Sequence, residues 1–128
     1  MECLTAMEVI KLKISNLIFV VGKEVALYVK KHFIKEFTKL SSWKSKDYKT
    51  ALEDCFFKMD ELMRTNAGRK ELAQLGEAEL GESCAGCTAT TILITPSEIF
   101  CANSGDSRTV LSRSGKCLAL SEDHKPDN

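Results

Sequence analysis

The sequence predicts an α+β protein. Its first half carries two stretches with apolar residues at helical spacing, and its second half carries β-branched runs separated by turn signals. The two kinds of pattern follow one another instead of alternating, which argues against βαβ units and a parallel sheet. The composition is 44% hydrophobic and 28% charged, within the range of folded globular chains rather than disordered ones. At 128 residues the chain is long enough for one modest domain or part of a larger one.

The elements read in order as follows. Ile18 to Val21 is an apolar run that stops at Gly22, and it reads as a strand turning into a helix. In the first helix Val25, Val29, Phe33 and Phe37 recur every four residues, while Lys30, Lys31, Lys35 and Lys39 lie mostly off that stripe. This predicts an amphipathic helix of about 18 residues, ending near Leu40 before the loop signal Ser41-Ser42. Asp47 is the expected N-cap of the second helix, whose apolar set runs from Tyr48 through Leu52, Cys55, Phe56 and Met59 to Met63. Asn66-Ala67-Gly68 is expected to end it, because Asn and Gly tolerate a left-handed backbone. Residues 69–83 read as a short helical piece followed by an acidic loop broken by Gly76 and Gly81. Strands are then expected at Thr88 to Thr95, Ile99 to Asn103, Ser107 to Arg113 and Cys117 to Leu120, with turns at Pro96-Ser97 and Ser114-Gly115.

Charge and cysteine usage narrow the function classes. Formal net charge is zero, so no global field favours nucleic acid. The balance is uneven: residues 1–50 hold ten Lys against five acids, and the remainder holds eight bases against thirteen acids. Solvated helix faces account for that. No apolar run approaches the roughly 20 residues of a membrane span. The N-terminal apolar stretch is broken by Glu8, Lys11 and Lys13 and lacks a small-residue cleavage site, so it is not read as a signal peptide. The six cysteines are therefore expected as reduced thiols in a cytoplasmic or nuclear protein. Oligomeric state is left open.

Candidate chemistry is sparse. Cys84-Ala85-Gly86-Cys87 is a lone CxxC without a second pair for zinc, and a β-branched run follows it where a redox motif would open a helix. Its first reading is small residues packed where a strand enters a sheet. His32 lies among lysines, and His124 lies in the polar cluster Ser121 to Asp127; neither has a partner that spacing alone identifies. Ser104-Gly105-Asp106-Ser107 reads as a tight turn between two strands. Asp106 also puts a carboxylate at a sheet end, where a hard cation could use it.

Three blocks in order then carry a resemblance: Gly86-Cys87-Thr88-Ala89-Thr90, Cys101 through Leu111, and Asp123-His124-Lys125-Pro126-Asp127. Together with Lys23-Glu24-Val25-Ala26, Leu52-Glu53-Asp54 and Phe57-Lys58-Met59-Asp60 upstream, they resemble the type 2C metal-dependent serine/threonine protein phosphatases. The resemblance covers residues 22–128, leaving 1–21 as a segment outside it, and it looks like part of the N-terminal half of the family domain. It implies a partial α-β-β-α sandwich of two antiparallel sheets flanked by helices, incomplete in this chain. It also implies hydrolysis of phosphoserine or phosphothreonine in phosphoprotein substrates by water activated at two Mg²⁺ or Mn²⁺ ions.

Residue by residue, little of that chemistry carries over. The family places Asp-Gly-His-Gly-Gly in the strand-to-helix turn. Here Gly22 matches only the last glycine, and Phe19, Val20 and Val21 precede it with no side chain able to ligate a cation. Of the family's acidic metal positions, Asp106 alone is matched, at a position linked to an additional, weaker site. No catalytic side chain is assigned. Arg108 and the Asp123 to Asp127 segment are expected to fix the strand end and the following loop. The expectation is a family phosphatase whose 128 residues are inactive alone; the alternative is a non-catalytic, phosphatase-derived interaction module.

Overall fold

A computed structural model describes residues 11–13, 22–76 and 86–125. The expected strand at Ile18 to Val21 and the acidic loop at 77–83 lie outside the described residues. The chain divides into two compact units, one formed by residues 18–87 and the other by residues 1–17 with 88–128. The class is α+β: one unit is helical, and the other holds two antiparallel sheets.

The helical unit contains α1 (Lys23–Phe37), α2 (Ser41–Lys44), α3 (Tyr48–Arg64) and α4 (Asn66–Gly76). The four-residue stripe of α1 is the buried face, and it meets the three- and four-spaced apolar face of α3. Phe33 and Phe37 are 1% exposed, and Cys55 of α3 is fully buried beneath them. The Cys55 thiol donates to the Phe33 carbonyl at 3.6 Å. Phe56 meets Phe33 edge-on with ring centres 5.6 Å apart, and Trp43 of α2 covers Phe37 at 4.8 Å. Burying large apolar side chains at this seam stabilises each by about 1.5–3 kcal/mol.

Two helix ends differ from the sequence reading. The first helix stops at Phe37 instead of Leu40: beyond it the Lys39 and Leu40 amides bond carbonyls three residues back, Glu36 and Phe37, and the Thr38 hydroxyl donates to the Ile34 and Lys35 carbonyls at 3.1 and 3.2 Å. Leu40 then takes an extended backbone and leads into α2, where a loop was expected. Ser42 of α2 is buried, and its hydroxyl donates to Asp54 Oδ2 at 2.9 Å, which ties the short helix to α3.

The second difference concerns Asn66-Ala67-Gly68. These residues do not end a helix; they form the first turn of α4. The break falls at Thr65, whose extended backbone turns the chain and whose hydroxyl accepts from the Gly68 amide at 3.0 Å. Gly68 is required for space. A Cβ there would lie 2.0 Å from the Leu62 carbonyl oxygen at the end of α3. The expected Asp47 cap of α3 is present, accepting from the Thr50 amide at 3.3 Å.

The β unit contains β1 (Lys11–Lys13), β2 (Ala89–Ile94) and β3 (Ile99–Ser104) in one antiparallel sheet, in the order β1-β2-β3. A second sheet is the hairpin of β4 (Val110–Arg113) and β5 (Lys116–Ala119). Ala89, Thr91 and Leu93 form the buried face of β2. Strand β1 was not expected; it pairs with the second half of β2. At the Pro96-Ser97 turn, Thr95 and Glu98 exchange backbone and side-chain hydrogen bonds. Ser114 and Gly115 both take positive φ, 51° and 74°, which suits a two-residue hairpin turn.

Gly105-Asp106 lies between two strands, as expected, but it does not close a hairpin. Strand β3 pairs with β2 while β4 pairs with β5, so this turn carries the chain from one sheet to the other. The strand expected from Ser107 begins only at Val110, because Ser107 and Thr109 are buried and engage through side chains. Ser107 shares a hydroxyl hydrogen bond with Thr88 at 2.7 Å, and Thr109 shares one with Thr90.

Two outcomes test the helical unit. Replacing Gly68 with Ala is expected to cost about 1–3 kcal/mol through overpacking against Leu62, read by urea denaturation with far-UV circular dichroism. The second concerns Glu71 of α4, which binds Lys31 Nζ at 2.6 Å and His32 Nε2 at 3.0 Å on α1. The Lys31 hydrogen bond, and then the His32 one, hold its carboxyl below the ordinary glutamate range. A lowered carboxyl pKa stabilises the fold above the unfolded value, and that stabilisation is lost as pH falls through the folded value. Amide protection in α4 is therefore expected to weaken on acidification below the ordinary glutamate range, and Glu71→Gln should flatten that dependence.

Candidate functional site

Gly22 opens α1 with φ 131° and ψ 52°, a conformation that L side chains rarely adopt. Its carbonyl oxygen accepts from the Val25 amide at 3.0 Å and the Ala26 amide at 3.2 Å. A carbonyl has two lone pairs, and the helix start engages both. Gly22 belongs to the helical unit and Asp106 to the β unit.

Asp106 follows Gly105 at the end of β3 and is exposed. Its placement depends on the groups around it more than on its own bonds. Gly105 has φ 98°, and a Cβ on it would lie 2.5 Å from Thr88 Cγ2. The Gly105 carbonyl accepts from Asn103 Nδ2 at 2.9 Å and from the His124 amide at 3.0 Å. Asn103 Nδ2 also donates to the Glu122 carbonyl at 2.9 Å. One asparagine thus fastens its own turn to a loop nineteen residues further on. Asn103 Oδ1 is buried and has no hydrogen-bond partner among the described residues.

Arg108 and Asp123 form a bidentate pair, Nε to Oδ1 at 2.9 Å and Nη2 to Oδ2 at 2.8 Å. The guanidinium holds the Asp123 carboxyl below the ordinary aspartate range. Lys125 Nζ lies 3.7 Å from the same carboxylate. With Ala119, Ser121 and Glu122 these residues border an open depression of about 490 Å³. Its cations face carboxylates of the same loop, and the Ser121 hydroxyl accepts from the Thr109 amide at 2.9 Å. The arrangement fastens residues 120–125 to β4.

The thiols and histidines take other places. Burial pushes the Cys55 thiol up to about 12, so it stays protonated at neutral pH. Cys87 is half-buried just ahead of β2, and its thiol is also raised, first by burial and then by the Asp60 charge. Cys84 lies outside the described residues. His32 stacks against Tyr28 with ring centres 4.4 Å apart and bonds Glu71. The spacing of residues gave no hint of Asn103, Thr88, Thr90 or Glu71, because each acts on a residue between 19 and 39 positions away.

The Mg²⁺ or Mn²⁺ pair that the resemblance implies can be tested against these groups. Hard divalent ions take six or more oxygen ligands. Among the described residues, no three His, Cys, Asp or Glu side chains lie close enough to hold a metal ion. The Gly22 carbonyl is occupied by two amides. One exposed carboxylate and one unsatisfied amide oxygen fall far short of six ligands. The described residues do not fit a two-metal centre.

An α+β chain with this helix entry and this inter-sheet turn defines a class on its own terms, and comparison with known proteins gives it a family. The sequence profile of the family Protein phosphatase 2C matches residues 15–128. The chain belongs to the protein phosphatase 2C family. "Probable protein phosphatase 2C 2" of Paramecium tetraurelia is 49% identical over 107 residues, covering 84% of this chain and 36% of the relative. "Probable protein phosphatase 2C 42" of Oryza sativa subsp. japonica is 34% identical over 128 residues, covering 83% of this chain and 36% of the relative. The chain thus spans about a third of the length of these relatives.

If Gly105 sets the turn, Gly105→Ala should destabilise the protein by about 1–3 kcal/mol through steric overlap with Thr88 and an unfavourable φ. Asp106→Asn should leave the melting temperature within error, since its side chain is exposed. Thermal unfolding of the two variants side by side reads the difference.

Proposed function

We propose that this chain is part of a protein serine/threonine phosphatase of the type 2C family, acting on phosphoserine or phosphothreonine in phosphoprotein substrates, and that its 128 residues do not turn over substrate by themselves. Family membership supports the first half. A single observation carries the second. Where the resemblance would place the family's metal-binding Asp-Gly-His-Gly-Gly, Phe-Val-Val precedes Gly22 and brings no side chain able to ligate a cation. Asp106, proposed as a remnant of the peripheral metal site, is one exposed carboxylate. The four described cysteines are free thiols, in keeping with a cytoplasmic or nuclear setting. Among the described residues no helix is long and apolar enough to cross a membrane.

The alternative reading, a non-catalytic interaction module, draws on a different observation. The α1–α3 core is closed, with Phe33, Phe37, Leu52, Cys55 and Met59 each 2% exposed or less. A unit packed in that way keeps its shape without any metal.

A phosphothreonine peptide incubated with the purified chain and Mn²⁺ should show no hydrolysis above the buffer blank, with or without Asp106→Asn. Turnover that co-purifies with the chain and disappears in Asp106→Asn would overturn the reading. Sequencing transcripts across codon 22 separates the two readings further. An upstream exon that encodes an acidic metal-binding turn supports the enzyme, whereas an invariant Phe-Val-Val-Gly supports the module.

A further inference from the structure

Helix α1 has a third face. Its Val25, Val29, Phe33 and Phe37 side is buried, and His32 bonds Glu71 of α4 on another side. An α-helix turns about 100° per residue, so Lys23, Leu27, Lys30, Lys31 and Ile34 fall within one arc of about 100°, with Lys35 at its border. The two acids of α1, Glu24 and Glu36, fall outside that arc. All four lysines are exposed. Among the described residues Lys23, Lys30 and Lys35 have no carboxylate within ion-pair distance, and Lys31 keeps a side chain 63% exposed while it bonds Glu71. Ile34 is 40% exposed, and Leu27, two turns earlier, is half-buried. Solvation accounts for the lysines, but Leu27 and Ile34 add an apolar line between them, with Lys23 and Lys30 on one side and Lys31 and Lys35 on the other.

We propose that this face of α1 lies on an anionic lipid surface. A helix resting in the plane of a membrane interface buries an apolar line and sets basic residues along both sides of it. Lysines suit the flanks, because their long stems let the ammonium groups reach the headgroups while Leu27 and Ile34 dip below them. Anionic headgroups also complement a face that carries only positive charge. Other occupants fit less well. An acidic peptide would match the lysines, but extended peptides bind in grooves or on sheet edges, and the exposed side of one helix is convex. A second copy of the chain would bring the same lysines against each other across a two-fold contact. The α1–α3 seam holds the helix from its opposite side, so contact with lipid does not require the core to open. This inference is independent of the catalytic reading.

The test is vesicle flotation of the full chain. Phosphatidylcholine vesicles containing roughly 30% phosphatidylserine are compared with phosphatidylcholine alone. The expected result is roughly tenfold tighter binding to the anionic vesicles, lost in about 0.5 M NaCl. Lys23→Glu with Lys30→Glu should weaken that binding roughly tenfold, whereas Arg113→Glu with Lys116→Glu, the same change in net charge on the β4–β5 hairpin, should leave it in place. Ile34→Asp should also weaken it, because the apolar line is part of the contact. Circular dichroism of each variant confirms the helical fold, and the contrast between the two vesicle compositions needs no variant. Absence of flotation overturns the inference, as does equal flotation with neutral vesicles. Equal loss in both charge-reversal pairs, or no effect of Ile34→Asp, overturns it as well, since either outcome reduces the face to general charge. A poly-glutamate peptide that binds the chain and displaces it from the vesicles only when the α1 lysines are intact, without needing Ile34, would assign the face to an acidic peptide instead. A homodimer abolished by Ile34→Asp would assign it to a second copy.

Discussion

The β unit turns on the absence of a side chain at Gly105. Its Cα lies against Thr88, and its φ of 98° is reached at low cost only by glycine. That close approach lets the chain leave β3 and run past the start of β2, where Ser107 meets Thr88 and Thr109 meets Thr90. The Gly105 carbonyl then gathers Asn103 from before the turn and His124 from nineteen residues after it. A side chain at position 105 would push against Thr88 and open these bonds together. The position of Asp106, proposed above as a remnant of a peripheral metal site, is a consequence of this packing.

The helical unit depends on a different constraint, the fit of Phe33 and Phe37 over Cys55. Small residues at the contact, Ala51 and Cys55, let α3 approach the aromatic stripe of α1. The buried thiol satisfies itself on the Phe33 carbonyl and needs no charged partner. At the other end of α3, Thr65 and Gly68 make a tight corner, and Glu71 then ties α4 back to α1. This tie is polar and partly wet, so its contribution is smaller than that of the aromatic seam and depends on pH.

The periodic parts of this fold were legible in the sequence. The α1 stripe, the Asp47 cap, the β2 run and the Ser114-Gly115 hairpin turn each follow from local pattern and local turn chemistry. The misread features have two physical causes: the end of α1 and the start of α4 are set by backbone contacts within six residues that periodicity does not report, and the strand pairing around Gly105 is set by residues distant in sequence. Gly68 looked like a helix stop because glycine often is one, yet here it is the residue whose lack of a Cβ admits the Leu62 carbonyl. Gly105-Asp106 could be placed between two strands, but spacing cannot say which strand will pair with which. The candidate site was legible only in outline. Gly22 and Asp106 could be named, but the spending of the Gly22 carbonyl on two helix amides is a property of backbone geometry.

That geometry bears on what the turn at Gly22 signifies. In the resemblance Gly22 matches the last glycine of the family's metal-binding turn, a place in the turn and not a ligand. A glycine there has a sufficient cause in the helix itself. The helix must start, its first amides need an acceptor, and a φ of 131° is one that L side chains rarely adopt. The Gly22 carbonyl serves the Val25 and Ala26 amides, so its conformation is accounted for without a cation. What a metal would need must therefore come from the residues before Gly22, and there Phe19, Val20 and Val21 bring no side chain able to ligate one.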